Sequence, residues 1–329
     1  LKVTLEQLKK MLSTYKLKAL RVQPIEDGYL VETTRGKKMV SIWQSPELLK
    51  WSNTWREQLF TEGYEAVERF QVNSNNKKYI RFQNKYFVLT DYAEAALPDI
   101  KDEGECRELG RTYADYHCAV GRINTAVNVG AEPFNDNIFI EGSTLIKQIM
   151  KAIESKKEPT LVDEVIYANL PLLYKRFRRA YQLCEGIKEA IPYFPLSTES
   201  FHLVQMVKAE KGWKIRGGYN KGLVPLHQDT TQLIREIYEK SGWRLSSVLS
   251  FLKGYEDKRR LADNELVYIL VQLAVPREVW KYFSNYLTQN EWSEADINRL
   301  AEAIHAQRHW DELVTQIGRY IDQRSPLSA

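Results

Sequence analysis

The N-terminal part of the chain carries three short extended segments, Leu20 to Ile25, Tyr29 to Thr34 and Lys37 to Trp43, separated by Asp27-Gly28 and Arg35-Gly36. Glycine in such short connections allows the backbone of a tight hairpin turn, so the three segments read as consecutive antiparallel strands. Ahead of them Thr4 stands three residues before Gln7, and Leu5, Leu8, Leu12 and Tyr15 keep helical spacing, the pattern of a capped amphipathic helix. Behind them Ser45-Pro46 joins an N-cap to a first-turn proline. It opens a helix with Leu48, Trp51, Trp55 and Leu59 on one face, ending near Gly63. Lys78 to Phe82 and Tyr86 to Thr90 add two strands around a Gln83-Asn84 turn. These elements form a small mixed lobe, residues 1–93, and Asp91 to Asp99 reads as the linker to a second domain, residues 94–329.

Beyond Cys106 the spacing is mainly helical. Leu109, Tyr113, Tyr116 and Val120 form one stripe, and Leu161 to Ile191 makes a long helical stretch interrupted by Pro171. Phe201 to Ile215, with a Lys211-Gly212 turn, reads as an isolated hairpin. Helices resume near Thr230 and positions 244, 262 and 276, and Trp310, Leu313, Ile317 and Tyr320 share a face near the end. The fold class is α+β, with a five-stranded antiparallel lobe carrying a helix and a larger, mainly helical lobe. A hydrophobic content of 43% suffices for two cores, while 47 basic against 43 acidic residues are too balanced to imply a nucleic-acid or membrane surface. The basic run Lys175, Arg176, Arg178, Arg179 reads as a solvated helix face. Cys106, Cys118 and Cys184 suit neither a disulfide framework nor a zinc site, which points to synthesis in a reducing cytoplasm. No apolar run reaches membrane-span length, and the opening residues do not read as a signal peptide.

Four segments carry a family resemblance: 35–49 (RGKKMVSIWQSPELL), 87–94 (FVLTDYAE), 109–117 (LGRTYADYH) and 225–233 (PLHQDTTQL). They resemble the third strand and following helix, the hinge, the helix after it, and a later helix start of the CotS-type endospore coat family. Within that family the chain is most similar to YutH-like proteins. The family is itself similar to aminoglycoside phosphotransferases and choline kinases, so the resemblance implies a bilobal kinase-like fold.

A working kinase-like site needs a strand lysine, a helix glutamate, a catalytic aspartate, and an asparagine and an aspartate for magnesium. Along the resemblance the lysine position falls on Ser41, and Lys38 would share its face only if the register slipped by one residue. Glu57 takes the helix-glutamate position and, without a lysine partner, reads as a surface carboxylate. The segments 198–205 (TESFHLVQ) and 215–219 (IRGGY) place Ser200 at the aspartate, Gln205 at the asparagine and Gly217 at the metal aspartate. Serine is no base near neutral pH, and glycine offers no side-chain oxygen to magnesium. His202 reads as a brace of the loop, and Asp229 as the cap of the next helix. Gly217-Gly218 with Gly222 reads as a turn, lacking the strand-to-helix context of a phosphate loop. In Asp115-Tyr116-His117-Cys118 helical geometry puts His117 on a different face from Asp115 and Cys118, which argues against a nucleophilic site.

The expectation is therefore a catalytically inactive kinase-like scaffold in the spore coat, binding other coat proteins and no nucleic acid, with no cofactor and no metal. The alternative is an active or residual ATP-dependent small-molecule phosphotransferase, with Asp229 or Glu199 serving the metal, or a nucleotide sensor without turnover.

Overall fold

The hairpin signals resolve into one sheet. In the computed structural model, residues 3–25, 28–92, 96–123, 137–191, 196–198, 202–209, 212–217, 223–289 and 291–324 are described. Helix α1 (Leu5–Ser13) precedes β1 (Ala19–Ile25), β2 (Gly28–Thr33) and β3 (Gly36–Trp43). Its capping box is present, with Gln7 N–H on Thr4 Oγ1 and Thr4 N–H on Gln7 Oε1. Helix α2 (Pro46–Thr61) follows, capped by Ser45, and then β4 (Ile80–Phe82) and β5 (Lys85–Asp91). The sheet order is β1-β2-β3-β5-β4, antiparallel throughout. Gln83 and Asn84 both take positive φ, as a two-residue turn that continues the sheet's twist requires. Asp27, in the first expected turn, lies outside the described residues.

The chain divides into two compact units. The first contains residues 1–131, 195–224 and 232–260. Besides the sheet it holds α3 (Glu103–Arg122), β6 (Leu196–Thr198), a 3-10 turn at Leu203–Gln205, the β7 (Met206–Ala209) and β8 (Gly212–Ile215) hairpin, and β9 (Leu223–Pro225) up to residue 224. It also holds α6 (Gln228–Lys240) from residue 232 onward and α7 (Leu245–Glu256). One face of the sheet buries Tyr29, Val31, Val40, Phe87 and Leu89 against Leu8 and Leu12 of α1. The other packs Trp43 and Val88 on Leu49 of α2 and on Phe70. Helices α3 and α7 meet backbone to backbone. A Cβ on Gly110 would lie 2.0 Å from the Phe251 carbonyl oxygen, and one on Gly254 would lie 1.9 Å from that of Arg107.

The second unit contains residues 132–194, 225–231 and 261–329. It holds α4 (Asn137–Glu154), α5 (Leu161–Glu185), α8 (Asp263–Ala274), α9 (Arg277–Asn285) and α10 (Glu294–Arg324). The expected interruption at Pro171 is absent, because α5 runs through it. Buried Leu170, Leu173 and Phe177 flank the proline, and burial of that stripe outweighs its lost hydrogen bond. Asp229 lies inside the first turn of α6, its carboxylate accepting from Thr230 N–H at 2.8 Å, so the helix starts one residue before the expected cap. Among the described residues no helix is long and apolar enough to cross a membrane.

Candidate functional site

The site is built within the first unit. On β3, side chains alternate between the two sheet faces. Ser41 pairs with Val88, whose side chain joins Trp43 in the cluster under α2, whereas Lys38 and Val40 pair with Asp91 and Leu89 on the α1 side. The register does not slip, so Lys38 stays on the α1 face, buried, with its ammonium on Asp91. Ser41 thus faces α2 where the resemblance implies a lysine.

Helix α2 contributes a buried cation. Arg56 is 3% exposed, its guanidinium 4.6 Å from the centre of the Phe70 ring, with Nε donating to Ser52 Oγ at 3.2 Å. Its Nη1 donates to the Glu68 carbonyl at 2.6 Å and lies 3.9 Å from the Glu68 carboxylate. Neighbouring Glu57 is half-buried and pairs with Arg69 and Lys78.

Glu68 was not singled out in the sequence, and it is the acid that reaches the loop. Its Oε2 accepts the backbone N–H of Gly217 at 3.0 Å. Burial pushes its carboxyl above the ordinary value, opposed by Arg56, the Gly217 N–H, Arg216 and Lys214. Gly217 takes φ +71, in the left-handed region that glycine favours. A Cβ there would also press Gln205 Nε2 at 3.3 Å. Glu68 reaches the loop from the segment after α2. No local signal marks it, since Glu68 and Gly217 are 149 residues apart.

Gln205 turns inward. Its Oε1 accepts His202 N–H at 2.8 Å, and its carbonyl accepts Arg216 N–H at 2.7 Å, closing the 3-10 turn onto the end of β8. His202 does brace the loop, through Glu236 on α6. Glu236 Oε1 lies 2.6 Å from His202 Nδ1, and Oε2 accepts Leu203 N–H at 3.1 Å. Burial pushes the Glu236 carboxyl up, but bonds from Lys240, His202, Gln232 and Leu203 outweigh it and leave it below the ordinary value. At the hinge, Lys208 N–H donates to the Ala96 carbonyl at 3.0 Å, and the Arg216 guanidinium stacks 4.6 Å from the Tyr92 ring centre. Ser200 and Glu199 lie outside the described residues, as do Gly218 and Gly222. His117 is buried against Tyr255, with 2.8 Å between Nδ1 and the hydroxyl, consistent with the helical reading of residues 115–118.

The described residues contain no cluster of three or more metal-ligating side chains. Their donor set can still serve a magnesium ion that keeps most of its waters and takes one protein carboxylate beside phosphate oxygens. Glu68 offers that carboxylate, and Gln205, whose amide oxygen is spent on His202, does not.

No family model matches the chain, and no curated protein matches it by sequence. Solved structures match its fold. The aminoglycoside phosphotransferase of Alicyclobacillus acidocaldarius superposes with a TM-score of 0.80 at 12% identity, over 98% of each chain. A spectinomycin phosphotransferase in complex with ADP and spectinomycin gives 0.61 at 11% identity, over 98% of this chain and 100% of that one. An amicoumacin kinase with AMP-PNP and calcium gives 0.57 at 12%, over 95% and 94%. The α+β kinase-like fold expected from sequence is thereby shown. The expectation of a protein that is not an enzyme is overturned, because the structures sharing this fold across nearly the whole chain are phosphotransferases and kinases.

Proposed function

We propose that this chain is an ATP-dependent small-molecule phosphotransferase of the aminoglycoside-phosphotransferase type, with its metal-side carboxylate relocated to Glu68. The contact between Glu68 and Gly217 N–H carries the reading, because it brings an acid to the backbone position aligned with the metal aspartate. Arg56 balances the Glu68 charge and fixes its segment against α2 and Phe70. Glu236 and Gln205 hold the loop through His202 and Leu203, the rigid support that positioning-dominated phosphoryl transfer needs. Bound magnesium would neutralise charge on the nucleotide phosphates, with Glu68 as its protein ligand. The substrate class is a hydroxyl-bearing small cation such as an aminocyclitol or amino sugar, supported by the spectinomycin and aminoglycoside enzymes that share the fold.

The test is magnesium-dependent ADP formation across a panel of aminoglycosides, spectinomycin and choline, for the wild type and Glu68→Gln. Turnover with at least one acceptor is expected, falling about 10- to 100-fold in the variant. Nucleotide binding without turnover across the panel, or full activity in Glu68→Gln, would refute the reading. The CotS-type resemblance of segments 35–49, 87–94, 109–117 and 225–233 supports a location at the spore coat beside other coat proteins. A fluorescent fusion should then mark the spore periphery, and diffuse signal in mature spores would count against it.

A further inference from the structure

Between α2 and β4 the chain builds a rigid wall without regular secondary structure. Buried Asn73 commits its whole side-chain amide to that wall. Its Oδ1 accepts the N–H groups of Asn75 and Lys77, both at 3.0 Å, and its Nδ2 donates to the Tyr79 carbonyl at 3.2 Å. The backbone closes the same turn, with Asn73 N–H on the Lys77 carbonyl at 2.8 Å and Asn76 N–H on the Asn73 carbonyl at 3.0 Å. So pinned, the turn keeps Tyr79 36% exposed, its ring edge-to-face with that of Tyr86 on β5 at 5.4 Å between centres. An aromatic ring held in water by a fixed support offers apolar area that a ligand can cover without reorganising the protein.

Tyr79, Tyr86 and Phe70 line a cavity of about 500 Å³ together with Leu49 of α2. That volume lies within the roughly 300 to 1,000 Å³ of pockets that take small-molecule ligands. The charged part of the lining is Lys50, Lys77 and Lys78, with no carboxylate. Lys78 is drawn onto Glu57 at 2.9 Å, whereas the ammonium groups of exposed Lys50 and Lys77 make no hydrogen bond or ion pair with any described residue. Three aromatic rings with cations alone around them select a ring that carries negative charge and disfavour one that carries positive charge.

Phe70 joins this cavity to the loop site. The Arg56 guanidinium lies on its ring and donates to the Glu68 carbonyl, and the Glu68 carboxylate accepts the Gly217 N–H. A ligand packed on Phe70 therefore stiffens the support of the Glu68–Gly217 contact. We propose that the cavity between α2, residues 73–79 and β5 is a regulatory site for a small aromatic anion of one or two rings, an aryl carboxylate or aryl phosphate, whose binding tightens that contact. The rings would pack on Phe70, Tyr79 and Tyr86, and the anionic group would pair with Lys50 and Lys77. Binding does not depend on the phosphotransferase reading; the consequence for catalysis rests on it.

Calorimetric titration of the full chain at fixed ionic strength would compare naphthoate, naphthyl phosphate, naphthylmethylammonium and acetate. One of the two aryl anions should bind with Kd below about 1 mM, about tenfold or more tightly than both the aryl cation and acetate, the tighter of the two naming the anionic group. Lys50→Glu with Lys77→Glu, both exposed, should leave the thermal midpoint unchanged and remove the preference for anion over cation. Tyr79→Ser should weaken binding about three- to tenfold; if it fails to fold, the acetate comparison still tests the ring. Saturating aryl anion should slow hydrogen exchange of the Gly217 amide, followed by NMR, about fivefold or more. Arg56→Met leaves the cavity lining intact and should keep the binding but lose the slowing; if it fails to fold, the wild-type exchange still decides. Equal binding of aryl anion and aryl cation, acetate matching the aryl anion, a preference that survives in the double variant, or no binding at millimolar concentration would each overturn the site. Unchanged Gly217 exchange at saturation would overturn the regulation. A chain without phosphotransferase activity would count against the proposed function and leave both of these readouts unaffected.

Discussion

Replacing Asp163 by asparagine should cost the second unit at most about 2.5 kcal/mol at neutral pH, and the loss should fade in acid. Asp163 is the N3 residue of α5 and only 1% exposed. Burial pushes its carboxyl up. Against that, its oxygens accept from Lys156 Nζ at 2.8 Å, the Tyr286 hydroxyl and Thr160 N–H at 2.7 Å. The bonds win, and the group falls from 3.8 to about 2. A carboxylate depressed in the folded state stabilises fully above its unfolded value, and that contribution disappears as pH falls through the folded one. The shift corresponds to roughly 2.5 kcal/mol at pH 7 and about 1.3 kcal/mol at pH 3. These figures are ceilings, because the Lys156 partner is 43% exposed and its attraction is screened. Urea unfolding followed by tryptophan fluorescence at the two pH values measures the gap between wild type and Asp163→Asn. Trp280 and Trp292 report from the same unit. A gap below about 0.5 kcal/mol at pH 7, or one unchanged at pH 3, would refute the reasoning.

Gly254→Ala should destabilise by about 3 kcal/mol or more despite the better helix propensity of alanine, because its Cβ meets backbone of Arg107 that no rotamer can move aside. Gly318→Ala on α10, with nothing within 4 Å of the new Cβ, should instead gain up to about 1 kcal/mol in the same urea titration. Arg56→Met should cost roughly 3 kcal/mol at neutral pH by leaving the Glu68 carboxylate buried without its countercharge. Because the folded-state pKa of Glu68 is raised, acidification protonates it and should shrink that penalty. A penalty equal at pH 7 and pH 5 would show that lost packing on Phe70, not charge, is responsible.

Much of the first unit was legible because its signals are local. The Thr4-Gln7 box, the Ser45-Pro46 helix start, the Gln83-Asn84 turn and the β7–β8 hairpin each depend on residues within a few positions of one another, and each is found. The face of Ser41 followed from period-two alternation once the strand was placed. Pro171 was misread because a local penalty was weighed without the buried stripe that overrides it.

What the sequence determined by itself was the order and type of elements and the α+β class. What only the tertiary structure decided was which groups surround the kinase-like positions and how their charges pair. Glu68 on Gly217, Arg56 over Phe70 and Arg176 on Asp311 all depend on how separate elements pack. The physical reason is range. Turns, caps and periodicity act over one or two turns of backbone, whereas the charge and hydration of a buried side chain are set by whatever the folded chain brings within a few ångströms of it.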